Sequence, residues 1–317
     1  MKLKELYDFV VKEGVKEDPR GEQKVKKELS RAKKTYDDLK PGAKAEFDKE
    51  SLENPYADTR ILYGDADKEI KGIIIGVDME IGELLLADRL RQKGKVIDLV
   101  IAHHPEGRAL AGFYKVMNMQ VDILAKFGVP EVPAENLFQE RIEKVARSVM
   151  PVNHTRAVDA AKLLDIPFMC CHTPTDNHVA SFLQKIFDKK KADTLGDIID
   201  ILKKIPEYKE ASGRGAGPAI ISGRKQSRAG RVLIDMTGGT EGSSEIFKSL
   251  AGAGVGTIVG MHFSEEHLKK AKEANLNMII AGHISSDTLG INLLLDKLEK
   301  KCKIKIECCS GFRRFKR

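Results

Sequence analysis

The chain has 317 residues, 42% hydrophobic and 32% charged, which is the composition of a globular protein with room for one large domain or two modest ones. Its formal net charge of +7 comes from Lys and Arg interleaved with Asp and Glu. No basic stripe alternates with aromatics, so nucleic acid is a poor candidate partner, and the purely basic tail "GFRRFKR" is short.

No apolar run approaches the roughly 20 residues of a membrane span, and the first residues are charged. The five cysteines fall as two adjacent pairs, Cys170-Cys171 and Cys308-Cys309, plus Cys302, which is no disulfide framework. These features predict a cytoplasmic protein in a reducing compartment, with neither anchor nor signal peptide.

Residues 1–60 are charge-dense, with apolar positions at helical spacing and a break at Pro41-Gly42. They predict a charged helical arm that solubilises the surface, with partner recruitment as the second reading. From residue 61 the texture changes to short apolar runs alternating with amphipathic patterns, the signature of an α/β fold. "GIIIGVDM" reads as a buried strand, "EIGELLLADRLRQKG" as a helix ended by Gly94, and "VIDLVIAHHP" as the next strand. A long helical stretch through "NMQVDILAKFG" and "ENLFQERIEKVARSVM" precedes a further strand at "IPFMCCHTPTD". This first lobe spans about 61–185.

Residues 186–229 form a crossing segment: a helix at "DIIDILKKI", then a Gly/Arg-rich stretch expected as a loop or hairpin. Its G-x-G-x-G has no strand leading in and no helix leading out, so it fails as a dinucleotide fingerprint. The second lobe, 230–317, reads as strand, Gly-rich turn, helix, strand, helix, strand, helix.

In α/β folds, chemistry concentrates beyond the C-terminal ends of strands. Three strands here end in ionisable residues: His103 and His104, then His172 with Asp176, then His283. Asp287 follows His283 by one helical turn on the same face, so the two can share a metal. Imidazoles mixed with carboxylates suit Zn, Mn or Fe better than Ca or Mg. Because an adjacent His pair cannot easily chelate one ion from a regular strand, two divalent metal ions are the sharper expectation. His172 is expected beside the ligands, orienting one or moving a proton. His154, His178, His262 and His267 are read as structural, with Ser264 capping a helix that Glu265 and Glu266 open. The turn "DMTGGTEGSSEIF" offers backbone N–H groups around Gly239, Thr240 and Ser243 for an anion, or else a plain capped turn.

"DLVIAHHP", then "HTPTD", then "AGHISSD" with a helix through Gly290 resemble the Nif-three-like dinuclear-metal family, also called GTP cyclohydrolase 1 type 2 homologues. The "GVDM" strand and the "TGGT" turn look like it too, and the resemblance covers residue 65 onward. It implies a two-lobed α/β fold with a metal pair between the lobes, and ring-shaped homo-oligomers, commonly hexamers. By position, His103, His104, Asp176, His283 and Asp287 would be the ligands. Asp287 stands where the family usually has Glu, the interval between the His pair and "HTPTD" is long, and Pro174 replaces Asn in "HTNLD". A metal-dependent hydrolase of a nucleotide-like or cyclic-amide small molecule follows as the expected function. A metal-binding scaffold or regulator without turnover is the alternative.

Overall fold

A computed structural model describes residues 1–317. The N-terminal segment is helical, as expected: α1 (Leu3–Lys16), α2 (Glu22–Asp38) and α3 (Pro41–Glu46). The two longer helices serve different ends. On α1, Leu3, Leu6, Val10 and Val11 are buried against Ile73, Ile75, Leu99 and Ile101, so this helix is a layer of the core. Each fully buried aliphatic side chain there contributes about 1.5–3 kcal/mol. On α2 only Val25 is buried, which leaves the solubilising role to that helix and α3.

Two sheets follow on one plan. The first contains β1 (Arg60–Tyr63), β2 (Gly72–Gly76), β3 (Leu99–Ala102) and β4 (Phe168–Cys170), in spatial order β1-β4-β3-β2. The second contains β5 (Ala219–Ser222), β6 (Arg231–Asp235), β7 (Val255–Gly260) and β8 (Asn277–Ile280), in the equivalent order β5-β8-β7-β6. In each, the first strand runs antiparallel at one edge and the other three are parallel. Near-continuous Ile, Val and Leu in β2, β3 and β7 is what sheets covered on both faces require.

Between β2 and β3 lies α4 (Ile81–Gln92), closed by Gly94 at φ +81°. Between β3 and β4 come α5 (Gly107–Ala111), α6 (Met119–Lys126), α7 (Glu131–Val149) and α8 (Arg156–Leu163). The crossing to the second sheet carries α9 (Thr173–Lys189), α10 (Leu195–Leu202) and α11 (Pro206–Gly213). The second sheet's own connections are α12 (Phe247–Gly252) and α13 (Glu265–Glu273), capped by the Ser264 side chain, and α14 (His283–Lys301) follows β8.

Four expectations change. The Gly/Arg-rich stretch is not only a loop, since it supplies the edge strand β5, which pairs with β8. Residues 230–317 do not stay in one lobe: β9 (Lys305–Cys308) returns to pair in parallel with β2 of the first sheet. Although α6 and α7 fall in the sequence stretch of the first lobe, their Leu124, Phe138 and Ile142 pack on Leu233 and Ile258 of the second sheet. No regular helix opens at the Gly-rich turn, which runs into a short 3-10 turn at Ser244–Ile246 before α12.

The long helices after β4 and β8 are exchanged between sheets. Val179, Leu183 and Phe187 of α9 pack on Val232, Ile234 and Val259 of the second sheet, whereas Ile291, Leu294 and Leu298 of α14 pack on Ile73 and Leu99 of the first. The two helices cross in direct contact at Gly290, where an added Cβ would lie 2.4 Å from the Thr175 carbonyl oxygen. This exchange carries Asp176 and Asp287, one turn into each helix, to the middle of the molecule.

Candidate metal centre

Strand ends deliver the imidazoles. His103 and His104 follow β3 directly, His172 lies two residues beyond β4, and His283 lies three beyond β8 as the first residue of α14. Their partners at i+4, Asp176 for His172 and Asp287 for His283, share one face of each helix N-terminus. Thus the five residues expected as ligands do meet, although 184 positions of sequence separate His103 from Asp287.

Asp287 lies at the centre of the cluster. Its Oδ1 is 3.4 Å from His103 Nε2, and its Oδ2 is 3.6 Å from both His104 Nε2 and His283 Nε2. His103 Nε2 is also 3.5 Å from Asp176 Oδ1. Three overlapping sets of donor atoms close on a point: His103 with Asp176 and Asp287, His104 with His283 and Asp287, and His103 with His104 and His172.

The far nitrogen of each imidazole fixes what faces inward. His103 Nδ1 lies 3.2 Å from the Cys171 carbonyl, an acceptor only, and 2.9 Å from the Thr175 hydroxyl, so Nδ1 is the donor and Nε2 keeps its lone pair. The Thr175 hydroxyl itself donates to the His172 carbonyl at 2.7 Å. Asp78 accepts from His104 Nδ1 at 2.6 Å, and Asp58 accepts from His172 Nδ1 at 2.9 Å and from the Thr173 hydroxyl at 2.6 Å.

Electrostatics agree with this reading. Burial, reinforced by His103, pulls His104 down to about 4, and burial also lowers His283, so both imidazoles are neutral and ligand-ready at pH 7. Burial raises the Asp176 carboxyl well above the usual range. Burial works the same way on Asp287, but the His103, His283 and His104 rings outweigh it and hold this carboxylate below the usual range. His103 Nε2, Asp176 Oδ1 and both Asp287 oxygens are buried with no hydrogen-bond partner. Buried acceptors facing one another without a proton between them are costly, and a cation removes that cost. The donor set therefore fits a metal ion.

Beside the cluster opens a cleft lined by His172 and His283 on one side and by Thr237, Thr240, Glu241 and His262 on the other. The expected anion cradle divides. Gly239 and Thr240 line this cleft, but Ser243 faces a separate apolar cavity beside Phe138. The turn is wedged by the inserted helices: Gln120 donates to the carbonyls of Gly238 and Thr240 at 2.6 and 2.7 Å, and fills the space beside Gly238 and Gly242.

His154 and His178 are held by backbone carbonyls, and His267 by Ser264 and Gly242. His262 departs from the structural reading, because it reaches the cleft and its ring lies 4.8 Å from that of His283. Asp58 and Thr175 were not anticipated, and neither carries a local pattern that marks it. His262 does follow a strand end, the signal that identified the other imidazoles.

No protein-family model matches the chain, and neither does any curated protein. Among solved structures, a NIF3 superfamily protein from Sphaerobacter thermophilus aligns over 80% of this chain and 91% of its own, with 28% identity and a TM-score of 0.69. Reduced HcgD from Methanocaldococcus jannaschii aligns over 85% of this chain and 97% of its own, with 16% identity and a TM-score of 0.51. The protein ybgI, of unknown function, gives 17% identity over 80% of this chain and 90% of its own, with a TM-score of 0.50. The last two show a common fold. With the order of the three His/Asp motifs, the Sphaerobacter likeness makes the chain similar in sequence and fold to the NIF3 superfamily, the Nif-three-like proteins.

Proposed function

We propose that the chain is a metal-dependent hydrolase of a nucleotide-like or cyclic-amide small molecule, with two divalent ions of Zn, Mn or Fe held by His103, His104, Asp176, His283 and Asp287. The observation that carries this reading is the set of buried acceptors without partners, His103 Nε2, Asp176 Oδ1 and both oxygens of Asp287. One ion would be held by His103, Asp176 and Asp287, and the other by His104, His283 and Asp287.

Bound there, the ions would supply Lewis-acid polarisation and a lowered pKa for water. Asp58 fixes His172 with Nδ1–H outward, so that its Nε2 is available at the cleft to hold or pass a proton. Gly239 and Thr240 form the edge against which a substrate would rest, and Ser243 takes no part. The same family likeness carries a homo-oligomer, with a hexameric ring as its finer form. No helix is long and apolar enough to cross a membrane, and the five cysteines are free, which supports a cytoplasmic site of action.

Elemental analysis of the wild type, His103→Ala and Asp287→Ala tests the centre, followed by a hydrolysis screen over nucleotides and cyclic amides. About two equivalents of metal, lost in both variants, together with turnover, is the expected result. No uptake after reconstitution overturns the centre. Full uptake without turnover leaves the metal-binding scaffold.

A further inference from the structure

The cleft has a second wall that the metal ligands do not use. It belongs to the strand ends of the second sheet, and its central residues are Glu241 and His262. The shared plan of the two sheets gives this wall a counterpart. His104 lies two residues past the end of β3, and His262 lies two past the end of β7, the equivalent strand. Each ring is gripped at Nδ1 by a carboxylate, His104 by Asp78 at 2.6 Å and His262 by Glu241 at 2.9 Å. A carboxylate accepts, so both rings carry hydrogen at Nδ1 and present Nε2 as the free end.

The two differ in what that free end faces. His104 Nε2 belongs to the converging donor sets, whereas His262 does not, although its ring lies 4.8 Å from the ring of His283. Glu241 is itself confined, with its other oxygen 3.3 Å from His267 Nδ1. An imidazole with one nitrogen fixed and the other open to a cleft beside a metal centre is built to meet what enters the cleft.

We propose that Glu241 and His262 form a substrate-contacting dyad, the second-lobe counterpart of Asp78 and His104, which hydrogen-bonds the polar end of an uncharged, amide-like molecule whose other end lies at the metal centre. Away from the metal ligands, the cleft is lined by no lysine or arginine but by the carboxyl groups of Asp235 and Glu241, so this wall favours such a molecule over the phosphate of an ester. Asp235, whose carboxyl burial raises above the usual range, lines the same wall.

The inference rests on the proposed metal centre, and its test separates the two. Protein loaded with Co(II) is titrated with acetohydroxamate, a small amide-like chelator, and binding is followed in the visible spectrum. His262→Ala is expected to hold as much metal as the wild type and to bind acetohydroxamate about tenfold more weakly. Glu241→Ala shifts affinity the same way by a smaller factor, because the ring remains but loses its orientation, and His262→Gln restores part of the binding. Unchanged acetohydroxamate affinity in His262→Ala makes this residue structural and overturns the dyad, as does loss of metal in that variant. Failure of the wild type to take up Co(II) overturns the metal centre itself, and is read before any acetohydroxamate is added.

Discussion

Each imidazole of the cluster other than His283 has its far nitrogen committed: His103 to Thr175 and the Cys171 carbonyl, His104 to Asp78, and His172 to Asp58. These partners decide which lone pairs face inward, so they would tune affinity for the proposed metal without touching it. Thr175→Val removes the hydroxyl beside His103 at nearly constant volume and is expected to weaken metal binding about 10–100-fold, measured by competition with a chromophoric chelator. Unchanged affinity would leave the Cys171 carbonyl sufficient to orient the ring. Asp58 is fully buried and accepts from both His172 and Thr173. Asp58→Ala is expected to cost about 1–3 kcal/mol in denaturant unfolding, because two buried donors lose their acceptor. The imidazoles were legible in sequence because each follows a strand end. Asp58 was not, since 114 positions separate it from His172 and only the pairing of β1 with β4 brings them together.

The helices α9 and α14 each bring a carboxylate, and their separation sets the distance between Asp176 and Asp287. Gly290 is at their crossing, and there a methyl group would meet the Thr175 carbonyl oxygen at 2.4 Å. In an isolated helix Gly→Ala stabilises by about 1 kcal/mol. Here the clash reverses the sign, and Gly290→Ala is expected to destabilise by about 1–3 kcal/mol and to lower metal content by moving the carboxylates apart. Thermal unfolding and elemental analysis together check this, and a stabilised variant with full metal content would refute it.

Glu17, just past α1, ties the same helices together through Ser181 and Lys185 of α9 and Lys297 of α14. Burial would raise its carboxyl, but hydrogen bonds from Lys185, Lys297 and Ser181 hold it at about 2, below the ordinary 4.5. A depressed folded-state pKa means that the contribution is complete above 4.5 and is lost as pH falls toward 2. Glu17→Gln is therefore expected to flatten the dependence of unfolding free energy on pH across that window, and parallel curves for the two proteins would exclude the role. Most helices and buried strands could be read from their periodicity. The edge strands β1 and β5 could not, since each is four residues of half-buried chain whose only strand partner is an antiparallel neighbour.

Two sheets of one plan hold the centre between them, and the exchange of α9 and α14 together with the return of β9 ties each to the other. The proposed ligands come from both: His103 and His104 from the first, and His283 from the second. Metal bound at the proposed centre would then stabilise the whole folded molecule by mass action. Removal of metal with a chelator is expected to lower Tm in one cooperative step, restored by adding the ion back. Two separate transitions on chelation would show that the lobes unfold independently. On the outside, Leu85 and Leu86 of α4 and Leu163 of the adjacent α8 are exposed. If this face takes part in the proposed oligomer, Leu163→Glu will reduce the mass measured by light scattering, and an unchanged mass would place the contact elsewhere.

The sequence by itself determined the two-part α/β character, the helical N-terminal segment and the motifs of the centre. These follow from short-range rules: the periodicity of buried faces, turn chemistry and the placement of ionisable residues at strand ends. Only the tertiary structure decided that α1 is core, that α6 and α7 cover the second sheet, that β9 rejoins the first, that Asp58 holds His172, and that His262 borders the cleft. Each of these depends on which apolar face is left to cover which sheet. That is a choice among surfaces equivalent in hydrophobic pattern, and it is settled only when the whole chain packs.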